Sequence, residues 1–283
     1  MKNGWSSDLA QPVPSVLSAR MANLQIIGGG RMGEAILIGL LSAGTSPSDV
    51  VVVEPAAPRR AELEERHGVA STSTPTSAPD AVVAVKPQYV TEVVRDAAAA
   101  GVRRLVSVAA GVTLASLGGA AGPEVTVIRA MPNTPALVGR GAAALAAPAG
   151  TSDDDVAWAV SMLDAVGVAV VVDEAALDAV TGLSGSGPAY VFLVAEAMIE
   201  AGVLNGLPRP LATTLAVQTI AGAGELLTGG TPPAELRGDV TSPGGTTAAG
   251  LRALEDHGVR SAFLDAVSRA TARSRELGRT DDD

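Results

Sequence analysis

The chain contains no cysteine, which excludes disulfides, thiolate nucleophiles and zinc–thiolate centres. Aromatic residues make up 2% of 283 positions, so the core must be built from Ala, Val, Leu and Ile, within a hydrophobic share of 47%. Groups that move protons are scarce as well. The two histidines, His67 and His257, each stand before Gly-Val near the end of a helical stretch. That is a helix C-terminus signature, where an imidazole favours the helix dipole, and both read as structural. Neither Tyr89 nor Tyr190 has a lysine four residues on, and the only lysines are Lys2 and Lys86. Chemistry that must take a proton from a hydroxyl, as alcohol dehydrogenation does, is poorly served.

Net charge is −10, and no basic run has the density that nucleic-acid binding needs, so no nucleic-acid partner is expected. No apolar stretch reaches membrane-spanning length free of Gly, Pro or charge, so no membrane role is expected either. Residues 1–20 carry polar groups with Pro12 and Pro14 and do not read as a secretory signal. They read as a disordered N-terminal extension ahead of Met21, in a cytoplasmic protein with no metal site.

From Met21 the pattern alternates. Leu24–Ile27, Val50–Val53, Ala81–Val85, Leu105–Val108 and Val125–Ile128 are short apolar runs, joined later by Gly141–Ala146 and Val168–Val172. Helical stretches fall between them, near 31–43, 59–67, 89–99 and from Ser152. Strands this apolar are buried on both faces, which predicts an α/β domain over residues 21–173, a Rossmann-type doubly wound sheet. After Asp173 the strand signal stops, and five helical stretches predict an all-α domain over 174–283. Those helices are apolar on more than one face, which suggests burial against another subunit.

Gly28-Gly29-Gly30-Arg31-Met32-Gly33 matches the G-x-G-x-x-G dinucleotide fingerprint, directly after a strand and at the start of a helix. Gly28 permits the tight turn, Gly30 lets a pyrophosphate approach the backbone, and Gly33 lets helix and strand pack closely. Glu54, 21 positions past Gly33, is placed to take ribose hydroxyls, which favours NAD. Arg59 and Arg60 follow and can instead hold a 2′-phosphate, or merely sit on a solvated first turn. Lys86 follows a strand at the edge where open α/β sheets bind ligands, and is either a cofactor contact or a solvated loop lysine.

The stretch Asp239–Thr247 gathers four hydroxyls, Thr241, Ser242, Thr246 and Thr247, and the pair Gly244-Gly245 at a helix start. Backbone N–H groups, the positive helix end and short donors there can converge on one small carboxylate. A capped turn alone needs fewer hydroxyls. Reduction of a cyclic iminium, already protonated and electrophilic, asks for orientation more than for a strong acid or base, which fits the shortage of such groups.

With these motifs the chain resembles the pyrroline-5-carboxylate reductases. The likeness runs through Gly28–Gly33, Ala84–Gln88, Ser107–Val112, Arg129–Pro135, Asp178–Tyr190 and Thr241–Thr247. It implies reduction of 1-pyrroline-5-carboxylate to L-proline with NADPH, NADH being possible, and homo-oligomers that are dimers or pentamers of dimers. By position it implies that Ser242, Gly245, Thr246 and Thr247 hold the substrate carboxylate, with Thr247 also the catalytic hydroxyl near the ring nitrogen. Glu174 aligns with a substrate contact, or is a hinge-surface carboxylate. The cofactor is expected along Ile27, Gly28, Gly29, Gly30, Arg31, Met32, Ala84, Val85, Lys86, Pro87, Val108, Ala109 and Ala110, with Asn133 near the nicotinamide and Asp239 a further contact. Glu54 stands where the family commonly has a small polar residue. Rival readings are a reductase of another cyclic imine and a non-catalytic nucleotide-binding protein on the same fold.

Overall fold

A computed structural model describes residues 24–278; the expected extension, residues 1–20, lies outside them. These described residues divide into two compact units, one running to Val180 and taking in the segment from Arg275, the other Thr181–Ser274.

The first unit follows the order β1 (Leu24–Ile27), α1 (Arg31–Ser42), β2 (Val50–Val53), α2 (Ala57–His67), β3 (Ala70–Thr72), β4 (Asp80–Val83), α3 (Val90–Ala99), β5 (Arg104–Ser107), α4 (Leu114–Ala121), β6 (Thr126–Met131), β7 (Gly141–Ala146), α5 (Asp153–Asp164), β8 (Gly167–Val171) and α6 (Leu177–Val180). The eight strands form one sheet in the order β3-β2-β1-β4-β5-β6-β7-β8. Every pair is parallel except β6–β7. The stretch between those two strands holds only a 3₁₀ turn, Thr134–Val138, too little chain for the crossover that a parallel return requires. This is a doubly wound Rossmann-type sheet with an antiparallel step near one end.

Alternate residues of each strand feed two cores. On one face Leu24, Ile26, Val52 and Val82 pack with Ile36, Leu37 and Leu40 of α1 and Trp158, Met162 and Leu163 of α5. On the other, Ile27, Val53, Ala81 and Val83 meet Val90, Val94 and Ala97 of α3 and Leu117 of α4. Gln25 is fully buried, and its amide is satisfied by the Thr76 and Ala78 carbonyls and the Thr76 N–H. At the start of α5, Ser152 accepts from the Asp155 N–H, and Asp153, Asp154 and Asp155 place negative charge on the positive end of the helix.

The second unit is all helical: a π-helical turn (Thr181–Gly185), α7 (Gly187–Leu204), α8 (Arg209–Thr228), α9 (Pro233–Asp239), α10 (Thr246–Asp256) and α11 (Val259–Gly278), whose last turn belongs to the first unit. Gly182 is fixed by packing, because a Cβ there would lie 2.4 Å from the Thr271 hydroxyl oxygen and 2.8 Å from the Val267 carbonyl oxygen. The Tyr190 hydroxyl donates to the Gly182 carbonyl, and its ring meets Phe263 edge-on. Little apolar surface is buried within this unit. No residue of α7 is buried, and only Ala212 and Ala216 are in α8, while Phe192, Leu193, Leu204 and Leu215 are exposed.

Candidate active site

Sheet order reverses between β1 and β4, the switch point at which open α/β sheets bind ligands beyond the carboxyl ends of their strands. Ladder bonds continue past the strand ends there. Gly28 N–H donates to the Val53 carbonyl, Ala84 N–H to Ile27, and Val108 N–H to Val83. The expected cofactor segments Ile27–Gly33, Ala84–Pro87 and Val108–Ala110 are thereby set side by side. Gly28 has φ +110°, and a Cβ on it would lie 2.7 Å from the Ala84 carbonyl oxygen. A Cβ on Gly33 would lie 1.9 Å from the Gly28 carbonyl oxygen, whereas one on Gly30 would meet nothing within 4 Å. Two glycines therefore serve the fold, and the third leaves an open approach to α1. No side chain caps α1 at Gly30, so its first backbone donors suit a pyrophosphate. Arg31 and Lys86 are exposed at this edge.

Behind the glycine loop lies a charge cluster. Glu34 Oε2 pairs with Arg59 at 2.6 Å, and its Oε1 with Arg66 at 2.6 Å and His67 Nε2 at 2.9 Å. Arg59 also reaches Glu62 at 2.7 Å and donates through Nε to the Gly29 carbonyl at 2.8 Å. Burial pushes the Glu34 carboxyl up, but hydrogen bonds from His67, Arg59 and Arg66 outweigh it and lower its pKa from 4.5 to about 2. A lowered folded-state pKa gives stability that is complete above pH 4.5 and is lost as pH falls towards 2. With Arg66 facing solvent and Arg59 only partly buried, it amounts to about 1–2 kcal/mol. Urea unfolding of the wild type and Glu34→Gln should give a stability gap that narrows steadily as pH is lowered from about 5 to about 2. A gap that stays constant over that range would show that Glu34 ionisation does not hold the cluster.

Glu54 Oε2 accepts from the Gly29 N–H at 3.0 Å and Oε1 from the Ala56 N–H at 2.9 Å. Asn133, just past the end of β6, is buried and accepts from the Ala142 N–H at 2.9 Å, tying β7 to β6. Glu174 Oε1 accepts from the Leu114 N–H at the start of α4 and from Arg129 Nη1 at 2.9 Å. Arg129 is 7% exposed. Removing the carboxylate leaves a buried guanidinium without its counter-charge and an α4 N–H without its acceptor. Because Glu174 itself is one-third exposed, the expected cost of Glu174→Ala is about 2 kcal/mol. A melting-temperature shift partly recovered in the Arg129→Met/Glu174→Ala double variant would bear this out, and strictly additive losses would refute it.

In the second unit, Asp239 ends α9 and the loop Val240–Gly245 leads into α10. Gly244 has φ +69°, and a Cβ on Gly245 would lie 2.4 Å from the Ser242 hydroxyl oxygen. The chain folds back on itself through Gly245 N–H to the Ser242 carbonyl. Gly245 caps α10 without a side-chain bond. Thr241 spends its hydroxyl on the Arg237 carbonyl. The hydroxyls of Ser242, Thr246 and Thr247 have no hydrogen-bond partner among the described residues. Three uncommitted donors therefore stand around an uncapped helix start. His257, by contrast, ends α10 and donates through Nδ1 to the Ala253 carbonyl at 2.8 Å, as a structural histidine does.

Sequence reading does not single out Glu34 or Arg129. Their partners lie 25 to 45 positions away along the chain, and only the folded sheet with its helices brings them together.

A Rossmann sheet with an open glycine approach, followed by a helical unit bearing a hydroxyl-lined helix start, defines a nicotinamide-dependent oxidoreductase. The family model described as pyrroline-5-carboxylate reductase dimerisation matches residues 174–277, and one described as NADP oxidoreductase, coenzyme F420-dependent, matches residues 23–111. A pyrroline-5-carboxylate reductase of Synechocystis is 45% identical over 263 residues, covering 90% of this chain and 98% of that protein. The structure of a pyrroline-5-carboxylate reductase from Coxiella burnetii is 34% identical with a TM-score of 0.87, covering 92% of this chain and 100% of that one. That of the Plasmodium falciparum enzyme with NADP bound is 29% identical with a TM-score of 0.78, covering 91% and 98%. The chain belongs to the pyrroline-5-carboxylate reductases, oxidoreductases that convert 1-pyrroline-5-carboxylate to proline.

Proposed function

We propose that this chain carries out the last step of proline biosynthesis, with the substrate carboxylate seated at the start of α10. The observation that carries the reading is the uncapped Gly245 helix start with the uncommitted hydroxyls of Ser242, Thr246 and Thr247. A carboxylate there gains the backbone N–H groups, the helix dipole and the hydroxyl donors together. Thr247 directs its hydroxyl to the ring nitrogen, whose lone pair develops as the imine carbon is reduced. The open Gly30 approach and the uncapped start of α1 would hold NADPH or NADH, which when bound would supply the hydride. No strong base is needed, in keeping with two structural histidines and one lysine among the described residues.

We also assign the exposed apolar faces of α7 and α8 to a homodimer, alone or within a pentamer of dimers, in a cytoplasmic enzyme. The helical run Glu174–Leu204 is long and apolar enough to cross a membrane by length and composition alone. It contains Asp178, Pro188, Glu196 and Glu200 and falls within the segment matched by the dimerisation family model, which supports a protein partner for that surface.

Oxidation of NADPH and NADH, followed by the loss of nicotinamide absorbance with and without 1-pyrroline-5-carboxylate, tests the reading. Substrate-dependent oxidation is expected. Its absence, from folded protein that binds nucleotide, would favour another cyclic imine or a non-catalytic nucleotide-binding role.

A further inference from the structure

We infer that Glu54 sets the cofactor preference of this enzyme, and sets it towards the dinucleotide with a free 2′-hydroxyl, NADH. This rests on the nicotinamide-reductase reading above.

Val53 pairs with Ile27 in the sheet, so Glu54 comes level with the glycine loop. Its carboxylate bridges the two backbone turns that border the adenosine ribose of a Rossmann-bound dinucleotide, taking the Gly29 N–H with one oxygen and the Ala56 N–H with the other. An ionised carboxylate offers about four acceptor sites. Two are used, and the remainder can accept from a ribose diol. A 2′-phosphate brings acceptor oxygens and about two negative charges at neutral pH, and meets an acceptor of like charge. The backbone donors it needs at this turn are already held by Glu54, and Pro58, in the first turn of α2, has no N–H to give.

The nearby arginines do not reverse this balance. Arg59 is held by Glu34, Glu62 and the Gly29 carbonyl, one partner on each of its three nitrogens, so two carboxylates already counter its charge and its orientation is fixed. It fixes the Gly29 carbonyl while Glu54 fixes the Gly29 N–H, which makes it a positioning residue for the glycine loop. Arg60 donates through Nη1 to the Glu54 and Pro55 carbonyls and has no carboxylate partner among the described residues. Of the two arginines that follow β2, it is the one left able to compete for a phosphate.

The test measures kcat/KM with 1-pyrroline-5-carboxylate for NADH and NADPH, and Kd for each by fluorescence titration without substrate. Comparing two cofactors on one protein cancels any loss of folded fraction. The wild type is expected to favour NADH about 10- to 100-fold, the range spanned by a hydrogen bond to a charged group. Glu54→Gln should reduce that ratio about tenfold, and Glu54→Ser should bring it to unity or below. Arg59→Ala should raise KM for both cofactors alike, with kcat kept and the ratio unchanged. A wild type that uses NADPH as well as NADH would overturn the inference, as would a selective loss of NADPH in Arg60→Ala. No turnover with either cofactor, but a preserved Kd ratio that collapses in Glu54→Gln, would leave Glu54 in its role and remove the reductase reading instead.

Discussion

Gly33→Ala is expected to weaken dinucleotide binding by at least ~100-fold and to destabilise the first unit by about 3 kcal/mol. The added methyl group would lie 1.9 Å from the Gly28 carbonyl oxygen and 3.3 Å from Ile26 Cγ2, well inside contact distance. The obstacle is backbone, so no side chain can rotate out of the way. Relief must come from lifting α1 off β1, which disturbs the packing of Ile36, Leu37 and Leu40 and displaces the helix start that faces the pyrophosphate. Gly30→Ala is the matching control. Its φ is −71° and the space around a Cβ is empty of protein, so stability should change by less than about 0.5 kcal/mol. Its dinucleotide Kd should nevertheless rise about tenfold, because the methyl group enters the approach of the phosphates. Urea unfolding and fluorescence titration on both variants separate the two effects. Equal behaviour of the two variants would show that the loop does not divide its glycines between fold and ligand in this way.

That division is legible in the sequence because the spacing of the fingerprint itself sets Gly33 against the Gly28 carbonyl, five positions before it. The central strands are legible for a similar reason: a run such as Val50–Val53, apolar at every position, has no solvent face to offer. Where tertiary context decides, the sequence is mute. Strand β3 is three residues, Ala70–Thr72, with no buried position, and nothing in its pattern distinguishes it from a loop. Helix α4, LASLGGAA, carries two glycines that lower its propensity and is held instead by Thr113 at its N-cap and by burial of Leu117. The antiparallel return of β7 depends on connection length rather than strand composition.

The site divides in the same way. The density of hydroxyls between Thr241 and Thr247 is visible in any reading of the chain. The arginines after β2 are not so readily interpreted. A solvated first turn and a phosphate contact are both open for Arg59 from sequence, and the structure gives it a third place, between the Gly29 carbonyl and Glu34, that depends on residues 25 to 30 positions away. Glu174 likewise offers a substrate contact or a hinge carboxylate, and its oxygen is found on Arg129 and the start of α4.

Thr247→Val is expected to lower kcat about 100-fold while leaving cofactor Kd within about twofold, the scale on which single donors aimed at developing charge act. Reduction of the iminium carbon turns a cationic nitrogen into a neutral amine bearing a lone pair, and a hydroxyl donor there is worth more at the transition state than in the bound substrate. Valine keeps the shape and removes only that donor. The substitution should be silent in the fold, because the Thr247 hydroxyl has no partner among the described residues and valine and threonine differ little in helix propensity. Thr247→Ser, which restores the hydroxyl on a slimmer side chain, should recover most of the loss. Thr246→Val provides the contrast: a residue that only binds the carboxylate raises KM for 1-pyrroline-5-carboxylate with little change in kcat. If Thr247→Val instead raises KM alone, as Thr246→Val should, the hydroxyl belongs to the carboxylate clamp. The reaction would then proceed on orientation alone, which the shortage of acids and bases in this chain already brings within reach.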